Sequence, residues 1–292
     1  MPLPMRVALI TCAELPEPDP DEALLVAALA ARGLEPSLAA WDDPNVAWSG
    51  FTLGVLRSTW NYHRDPGAFV EWLELAATQV PLLNPPDLVR WNLHKAYLID
   101  LERRGFAIVP TAVVRAGDDG ARLSGIRATR GWDEVVIKPA ISAASHETLR
   151  VRPDDLERGQ EHLTRLATQG DVLVQPCLGS VLRDGERSLI AIEGALTHAV
   201  RKAARFHGEH ERVEGPLPIA PDERALAEAV LEQVAPGALY ARVDLARDDE
   251  GQPRILELEL IEPSLFLAQS EDALSRLADA IAARARGASS PS

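Results

Sequence analysis

Acidic residues alternate along a predicted β-hairpin near the C-terminal end of the sequence. The segments LYARVDLA and RILELELIE are patterned as strands, and RDDEGQP is a turn sequence between them. Because strand side chains alternate between two faces, packing of the leucines on a core would leave Asp244, Glu257 and Glu259 together on the other face. Carboxylates crowded in this way repel one another unless a cation binds among them, and all-oxygen ligands suit Mg²⁺. The hairpin therefore predicts a magnesium site, with a solvated, charged sheet face as the alternative.

Isolated basic residues are the candidates for binding a nucleotide that accompanies such a metal. The sequence contains neither a G-x-x-x-x-G-K-[ST] loop nor a G-x-G-x-x-G loop after a strand, so scattered lysines would have to neutralise the phosphates. Lys138 ends the apolar strand EVVIK and precedes a loop of small polar residues, Ser142 to Thr148, whose N–H groups could fold over phosphates. Lys95 lies in the predicted helix NLHKAYL. Arg201 and Lys202 end the predicted strand THAVRK, where one of them could meet a transferred phosphoryl group. For each lysine, an ordinary surface position is the alternative.

The segment RSTWNYH follows a predicted strand in the first third of the chain and is the candidate for binding a substrate. In open α/β sheets, ligands bind beyond the carboxyl ends of the strands, where Arg57, Ser58 and Trp60 would emerge. Arg57 could bind a carboxylate through paired hydrogen bonds. Tyr62 and His63 could contact the rest of a small polar substrate. For Trp60, burial in a loop that caps the sheet is the alternative.

The order of these motifs resembles the ATP-grasp superfamily over about residues 89 to 268. In that family two sheets grip ATP, and the resemblance implies that the segment LVQPCLG offers backbone hydrogen bonds to the adenine. The implied ATP-binding residues are Lys95, Lys138, Ser142, Ser145, Gln175, Pro176, Cys177, Leu178 and Glu186. The implied metal ligands are Asp244, Glu257 and Glu259, the last standing where the family usually has asparagine. The candidate catalytic residues are Arg201, Lys202 and Arg242, and Ser264 joins the candidate substrate-binding residues. Alanine and serine replace the glycines that the family usually has in the loop after the second lysine.

A closer resemblance comes from RSTWNYH, SLIAIEGALTHAVRK and LELIEPSLFL. These strings are similar to the branch of the superfamily that contains O-ureido-D-serine cyclo-ligases together with glutathione-synthetase-like relatives. The resemblance implies an ATP-dependent, ADP-forming carboxylate–amine ligase that acts on a small amino-acid-like substrate through an acyl phosphate. Cyclisation within one molecule, dipeptide-type ligation of two molecules, and a non-catalytic nucleotide-binding module all stay open.

The elements that must position these residues predict an α/β fold, and the family resemblance implies that this is an ATP-grasp fold preceded by a Rossmann-like pre-ATP-grasp domain. Strands at Arg6 to Cys12 and Phe51 to Ser58, with a helix capped by Asp19 between them, predict a small parallel sheet. The predicted domains are residues 1–88, a central ATP-grasp subdomain at 89–176, and a C-terminal subdomain with the metal site at 177–292. Within them we predict one helix over residues 89–108, a hairpin turning at Glu193-Gly194, and a mobile loop RFHGEHERVEGPLP.

Composition narrows the classes of partner. The chain has 292 residues and a formal net charge of −14, which argues against nucleic acid and anionic membrane surfaces. Cys12 and Cys177 are its two cysteines, far apart and without metal-ligand spacing, so we predict a cytoplasmic protein with no disulfide framework. His207 and His210 have no further ligand nearby and are interpreted as surface histidines. A homodimer is left open.

Overall fold

Three separate β-sheets organise the chain in the computed structural model, which describes residues 5–118, 120–205 and 212–288. In chain order the strands and α-helices are β1 (Arg6–Thr11), α1 (Glu22–Ala30), β2 (Glu35–Ala40), β3 (Leu53–Ser58), α2 (Pro66–Ala77), β4 (Leu82–Leu83), α3 (Pro86–Asn92), α4 (Tyr97–Arg103), β5 (Ala112–Val114), α5 (Leu123–Arg130), β6 (Val135–Pro139), β7 (Leu149–Val151), α6 (Leu156–Ala167), β8 (Val172–Pro176), α7 (Gly179–Asp184), β9 (Glu186–Ile192), β10 (Ala195–Lys202), β11 (Val213–Leu217), α8 (Pro221–Val234), β12 (Tyr240–Arg247), β13 (Pro253–Glu259) and α9 (Glu271–Ala288).

The N-terminal sheet is parallel and has the strand order β2-β1-β3-β4. Its two central strands are almost entirely buried, as expected for a parallel sheet that is covered on both faces. This confirms the predicted strands β1 and β3. Strand β2, with the sequence EPSLAA, was not predicted, because a partly exposed edge strand that contains proline lacks a clear apolar pattern.

The other two sheets are antiparallel. The central sheet has the order β5-β8-β6-β7, and the C-terminal sheet has the order β11-β10-β9-β12-β13. The turn between β9 and β10 places Glu193 at φ +52° and Gly194 at φ +76°, the left-handed pair that a two-residue hairpin turn requires. The predicted turn at this dipeptide is confirmed, and so is the hairpin of β12 and β13.

The N-terminal and C-terminal sheets share a hydrophobic core. Helix α9 packs against α1, β9 and β10, so the end of the chain returns to its beginning. Buried Asn84 strengthens this junction: its side-chain amide donates to the carbonyl oxygens of Tyr240 (2.9 Å) and Leu260 (2.8 Å), and its oxygen accepts from Leu239 N (2.6 Å). The sheet that carries RSTWNYH is therefore held in a fixed position against the sheet that carries the acidic hairpin.

The predicted helix over residues 89–108 is wrong as a single element. The structure divides it into α3 and α4, and Lys95 lies in the break. There the Lys95 N–H donates to Ala140 O (2.8 Å) and the Ala96 N–H to His94 Nδ1 (3.2 Å), so tertiary and local side-chain hydrogen bonds replace the helical ones.

Two further sequence predictions need correction. Helix α1 begins at Glu22 and is not capped by Asp19; buried Asp21 instead accepts hydrogen bonds from Leu265 N and Leu267 N, both at 2.7 Å. The predicted mobile loop RFHGEHERVEGPLP contains strand β11, which pairs with β10. Residues 206–211 of that segment, including His207 and His210, lie outside the described residues.

None of the described helices combines the length and apolar character needed to cross a membrane.

Candidate active site

A deep cleft opens between the central and C-terminal sheets, with the N-terminal sheet at one end. It encloses about 1480 Å³ of space, counted together with its open mouth. The central sheet contributes the ends of β6 and β8, and the C-terminal sheet contributes β10, β12 and β13. Trp60 and Tyr62, from the loop after β3, line the remaining end.

The three predicted metal ligands lie on the cleft face of β12 and β13. Asp244 stands opposite Glu257 in the strand register, and Glu259 stands opposite Arg242. The register shifts between Asp244 and Leu245, so the partner strand carries an extra residue at Leu256. As a consequence Leu256 lines the cleft whereas Ile255 is buried in the core, the reverse of the alternation predicted from the sequence.

Every one of these carboxylates is paired with a basic side chain. The Lys202 ammonium lies 2.8 Å from Asp244 Oδ2, and the Arg242 guanidinium binds both Asp244 oxygens at 2.9 and 3.0 Å. Lys138 Nζ lies 2.6 Å from Glu257 Oε1. Arg242 also donates to Glu259. The described residues therefore show a network of buried ion pairs across the face where the metal was predicted.

Lys95, the second of the two lysines predicted to bind ATP, belongs to the same network of ion pairs. Lys95 Nζ lies 3.6 Å from Glu257 Oε2 and donates to Ser142 O (3.0 Å) in the loop after β6. Lys202 also pairs with Glu186, at 3.3 Å. Four basic side chains, Lys95, Lys138, Lys202 and Arg242, thus converge on one region of the cleft.

Burial and pairing compete in setting the pKa values of the acids. Burial alone would raise the pKa of Glu257, but the ammonium groups of Lys138 and Lys95 outweigh it and lower the pKa to about 2. The pKa of Asp244 is likewise lowered, because Arg242 and Lys202 outweigh its burial. Burial raises the pKa of Glu259. Burial, reinforced by the charge of Glu259, raises the pKa of Glu262 to about 8.

The acids fit a hard cation through their chemistry rather than through a preformed cage. Among the described residues, no group of three or more histidine, cysteine, aspartate or glutamate side chains is arranged to hold a metal ion. The ion pairs explain this, because each carboxylate is turned towards a basic partner. The donor set is nevertheless all oxygen and faces one cleft, as Mg²⁺ requires, once the basic side chains are attracted elsewhere.

The residues predicted to bind ATP all line this cleft: Lys95, Lys138, Ser142, Ser145, Gln175, Pro176, Cys177, Leu178 and Glu186. The side chain of Gln175 is buried and donates to Thr111 Oγ1 (2.9 Å), so its amide N–H is already used within the protein. Tyr97, Leu256 and Leu258 add apolar surface near the same residues. This combination of strand backbone and apolar side chains suits a planar base.

Other predicted residues divide into two groups. Lys202, Arg242, Trp60, Tyr62 and Ser264 line the cleft. Arg201, Arg57, Ser58 and His63 are not part of its lining.

The four residues outside the lining have other contacts. The side chain of Arg201 is half exposed and lies 3.5 Å from Glu214 on the edge strand β11. Arg57 is buried, donates to Pro263 O (3.2 Å) and lies 3.6 Å from Asp21. Ser58 Oγ donates to Thr11 Oγ1 (2.9 Å), and His63 packs on His146 with ring centroids 4.5 Å apart. Arg57 and Ser58 therefore support the loop that carries Trp60 and Tyr62.

Three charged residues of the lining were missed by the sequence analysis. Glu17 and Arg205 form a paired hydrogen bond, both contacts at 3.1 Å, that joins the loop after β1 to the end of β10. Glu262 lies at the end of the cleft near Tyr62. Glu17 and Arg205 lie in loops and had no signal in the sequence, whereas Glu262 follows the last of the alternating acids of β13 by three residues.

A family model, a curated relative and a crystal structure that are similar to this chain all refer to the same kind of protein. The family model "D-cycloserine synthetase DcsG, N-terminal domain" matches residues 7–84. The cycloserine biosynthesis protein DcsG of Streptomyces lavendulae is 35% identical over 295 residues, which cover 95% of this chain and 98% of that protein. The crystal structure of D-cycloserine synthetase DcsG matches with a TM-score of 0.88 and 34% identity, covering 96% of this chain and 99% of that chain.

More distant structures share the fold. The ATP-grasp ligase PsnB, complexed with its minimal precursor, matches with a TM-score of 0.66 at 19% identity over 96% of this chain and 99% of that chain. A D-alanine–D-alanine ligase from Bacillus anthracis matches with a TM-score of 0.69 at 15% identity over 98% of both chains. Related structures of these two ligases contain Mg and ADP, and ATP, respectively.

Proposed function

The chain belongs to the family of D-cycloserine synthetase DcsG, whose members have the ATP-grasp ligase fold, and from this premise we propose that it uses Mg·ATP to close a ring within one amino-acid-like molecule. The ATP-grasp resemblance, the α/β fold and the assignment as an ATP-grasp ligase, all predicted from the sequence, are confirmed. The proposed substrate is O-ureido-D-serine or a close analogue, whose carboxylate is activated and whose ureido nitrogen attacks it. One observation carries this proposal: four basic and three acidic side chains of the predicted kinds meet in one cleft.

We propose that nucleotide binding rearranges the ion pairs of the cleft. Lys95 and Lys138 are held by Glu257 without a ligand, and a triphosphate offers them a greater negative charge. When they turn to the phosphates, Glu257 loses its partners and can bind a cation together with Asp244 and Glu259. Mg²⁺ held there would neutralise phosphate charge during phosphoryl transfer. In this exchange the lysines pair with the phosphates and Glu257 pairs with the cation. Each buried charge therefore keeps a partner, which limits the free-energy cost of the rearrangement.

The reaction then needs positioning and charge stabilisation but no enzyme nucleophile. A substrate carboxylate oxygen bonds to the γ-phosphorus while the bond from that phosphorus to the bridging oxygen breaks, releasing ADP. The substrate nitrogen next attacks the acyl carbon, loses a proton, and expels phosphate. Lys202 and Arg242 are the proposed groups that stabilise the developing negative charge, since both point into the cleft beside Asp244.

Product analysis tests this proposal. The protein is incubated with ATP, Mg²⁺ and O-ureido-D-serine, and ADP release is measured together with product mass. We expect ADP to form in step with a cyclic product. A condensation product with a second amino acid would instead indicate dipeptide-type ligation, and ADP formation without any ligated product would contradict ring closure.

A variant links this activity to the proposed metal site. Asp244→Asn preserves the size of the side chain but removes a charge that both Lys202 and Arg242 contact. We expect it to abolish turnover while the protein stays folded by circular dichroism. Near-normal turnover in this variant would contradict the assignment of Asp244.

A further inference from the structure

Glu262 differs from the other acids of the cleft in its charge pairing. The lining contains six carboxylates and five basic side chains. Five carboxylates make ion pairs: Glu17 with Arg205, Glu186 with Lys202, Asp244 with Lys202 and Arg242, Glu257 with Lys95 and Lys138, and Glu259 with Arg242. Among the described residues, no basic side chain lies within ion-pair distance of Glu262. The cleft thus has one carboxyl group more than its own cations can pair.

The structure fixes Glu262 in place through the N-terminal sheet. Only 8% of the surface of Glu262 is accessible to solvent. The indole N–H of Trp60 donates to the Glu262 carbonyl oxygen (2.9 Å). Tyr62 lines the same end of the cleft and interacts electrostatically with the Glu262 carboxyl group. Tyr62 is itself held by packing on Phe69, with ring centroids 5.2 Å apart. The two aromatic residues predicted to touch the substrate therefore orient a carboxyl group towards the cleft.

Glu262 also lies beside the proposed site of acyl phosphate formation. It follows Glu259 by three residues and lies close enough to Glu259 and Lys95 for electrostatic interaction. In an α-amino acid, the ammonium nitrogen is two bonds from the carboxyl carbon. When the carboxylate reacts near Glu259 and Arg242, the ammonium group must therefore lie only a few ångströms away.

We infer that Glu262 binds the α-ammonium group of the substrate and makes the site selective for amino acids in which this group is free. The inference rests on the proposed function and names a specificity determinant for it. A buried carboxylate without a counter-ion is costly, so a substrate cation that completes the pair gains free energy from a desolvated contact. A substrate without the ammonium group would leave the Glu262 carboxyl group unpaired in the complex. Binding sites reject analogues in this way when a missing substrate group leaves a buried polar group of the protein without its partner. Lys95 and Arg242 also attract Glu262, but each of them makes its ion pair with another carboxylate.

A two-by-two comparison of protein and substrate tests the inference. Wild type and Glu262→Gln are assayed with O-ureido-D-serine and with its desamino analogue, which retains the carboxylate and the ureido group. We expect wild type to prefer the amino substrate by about 100-fold or more in kcat/KM. Glu262→Gln should lose about 100-fold with the amino substrate, mainly through KM, and be unchanged with the desamino analogue.

Two controls separate this role from a structural one. Glu228→Gln removes the carboxylate of an exposed ion pair with Arg224 on α8. It should have the same kcat/KM as wild type for both substrates. Titration calorimetry with a non-hydrolysable ATP analogue should give the same affinity for Glu262→Gln as for wild type, since Glu262 is placed at the substrate end of the cleft. Glu262→Asp retains the charge and should restore part of the preference for the amino substrate.

Several outcomes would overturn the inference. An equal loss with both substrates would show that Glu262 supports the fold or the chemistry rather than the ammonium group. Equal kcat/KM values of the wild type for the two substrates would refute selectivity without any variant, even if Glu262→Gln does not fold. If the wild type forms no ADP with either substrate, the proposed function fails and the inference fails with it.

Discussion

At the scale of single residues, the cleft is governed by competition for counter-ions. Lys95 and Lys138 bind Glu257, while Lys202 and Arg242 bind Asp244. The sequence could identify these residues because the acids alternate with apolar residues along a predicted hairpin and because the order of the basic residues resembles the ATP-grasp superfamily. It could not show that the acids would be paired with the bases, because most of these pairs join residues far apart in the sequence: Lys138 reaches Glu257 from the central sheet, and Lys202 reaches Asp244 from β10.

The adjacent residues Arg201 and Lys202 allow a matched test of orientation. Lys202 points into the cleft and contacts Asp244, whereas Arg201 is on the other side of β10 and contacts Glu214. We expect Lys202→Ala to lower kcat/KM by about 100-fold or more, as is typical when a group that stabilises transition-state charge is removed. Arg201→Ala should change it by less than about threefold. Steady-state kinetics under the same conditions check both, and a larger loss for Arg201→Ala would contradict the proposed assignment of Lys202.

The pKa of Glu262 predicts a pH dependence of stability in the ligand-free protein. Folding raises this pKa from 4.5 to about 8, so between those values the folded protein holds a proton that the unfolded chain has released. The free energy of unfolding contributed by Glu262 should therefore fall as pH rises through this window. His63 acts in the opposite direction, since burial lowers its pKa from 6.5 to about 4, so the effect of Glu262 is clearest above pH 6.5. Urea unfolding from pH 6.5 to 8.5 should show a steeper decline for wild type than for Glu262→Gln. Parallel curves would contradict the raised pKa.

At the scale of elements, the long patterns were predictable and the short or irregular ones were not. Hairpins with alternating strands and helices with apolar periodicity were predicted, but β5 and β7 have three residues each and carry no usable pattern. The bulge at Leu256 reversed the expected faces of Leu256 and Ile255, because strand alternation assumes a regular ladder. The acids nevertheless lie together on the cleft face, and their role as metal ligands stays a prediction.

Gly185 controls the start of the strand that carries Glu186. It adopts φ +76° at the end of α7, and an added Cβ would clash with the carbonyl oxygen of Lys202. Gly185→Ala should therefore destabilise the protein by about 2 kcal/mol or more, since both the backbone conformation and the contact oppose it. Denaturant unfolding measures this change. Gly131→Ala is a control for a positive φ without a steric clash, since Gly131 lies in the left-handed helical region (φ +69°, ψ +30°) and its Cβ would have no neighbour within 4 Å. An equal loss for the two variants would show that contact with Lys202 is unimportant.

At the scale of the whole molecule, the N-terminal sheet completes the cleft that the other two sheets form. The sequence indicated three units and an ATP-grasp order of motifs, but not how RSTWNYH would meet the C-terminal sheet. That contact depends on residues distant in sequence, such as Asn84 with Tyr240 and Leu260. It also accounts for the position of Arg57, which was predicted to bind a substrate carboxylate: its side chain lies in the junction between the sheets, 3.6 Å from Asp21.

Asn84 therefore offers a test of how the sheets are joined. Asn84→Ala leaves two buried carbonyls and one N–H without their side-chain partner. We expect a loss of about 2–4 kcal/mol in the free energy of unfolding, because unsatisfied buried polar groups are costly. Unfolding in urea measures it. A loss below about 0.5 kcal/mol would show that the junction does not depend on this residue.

We expect Mg·ATP to exchange the ion pairs of the cleft, and a crystal structure with Mg²⁺ and a non-hydrolysable ATP analogue would show whether this exchange occurs. In that structure, Lys95 and Lys138 should leave Glu257 for the phosphates, and Mg²⁺ should be bound by Asp244, Glu257 and Glu259. A triphosphate bound elsewhere, or bound here while both lysines stay on Glu257 and no metal contacts these carboxylates, would contradict it.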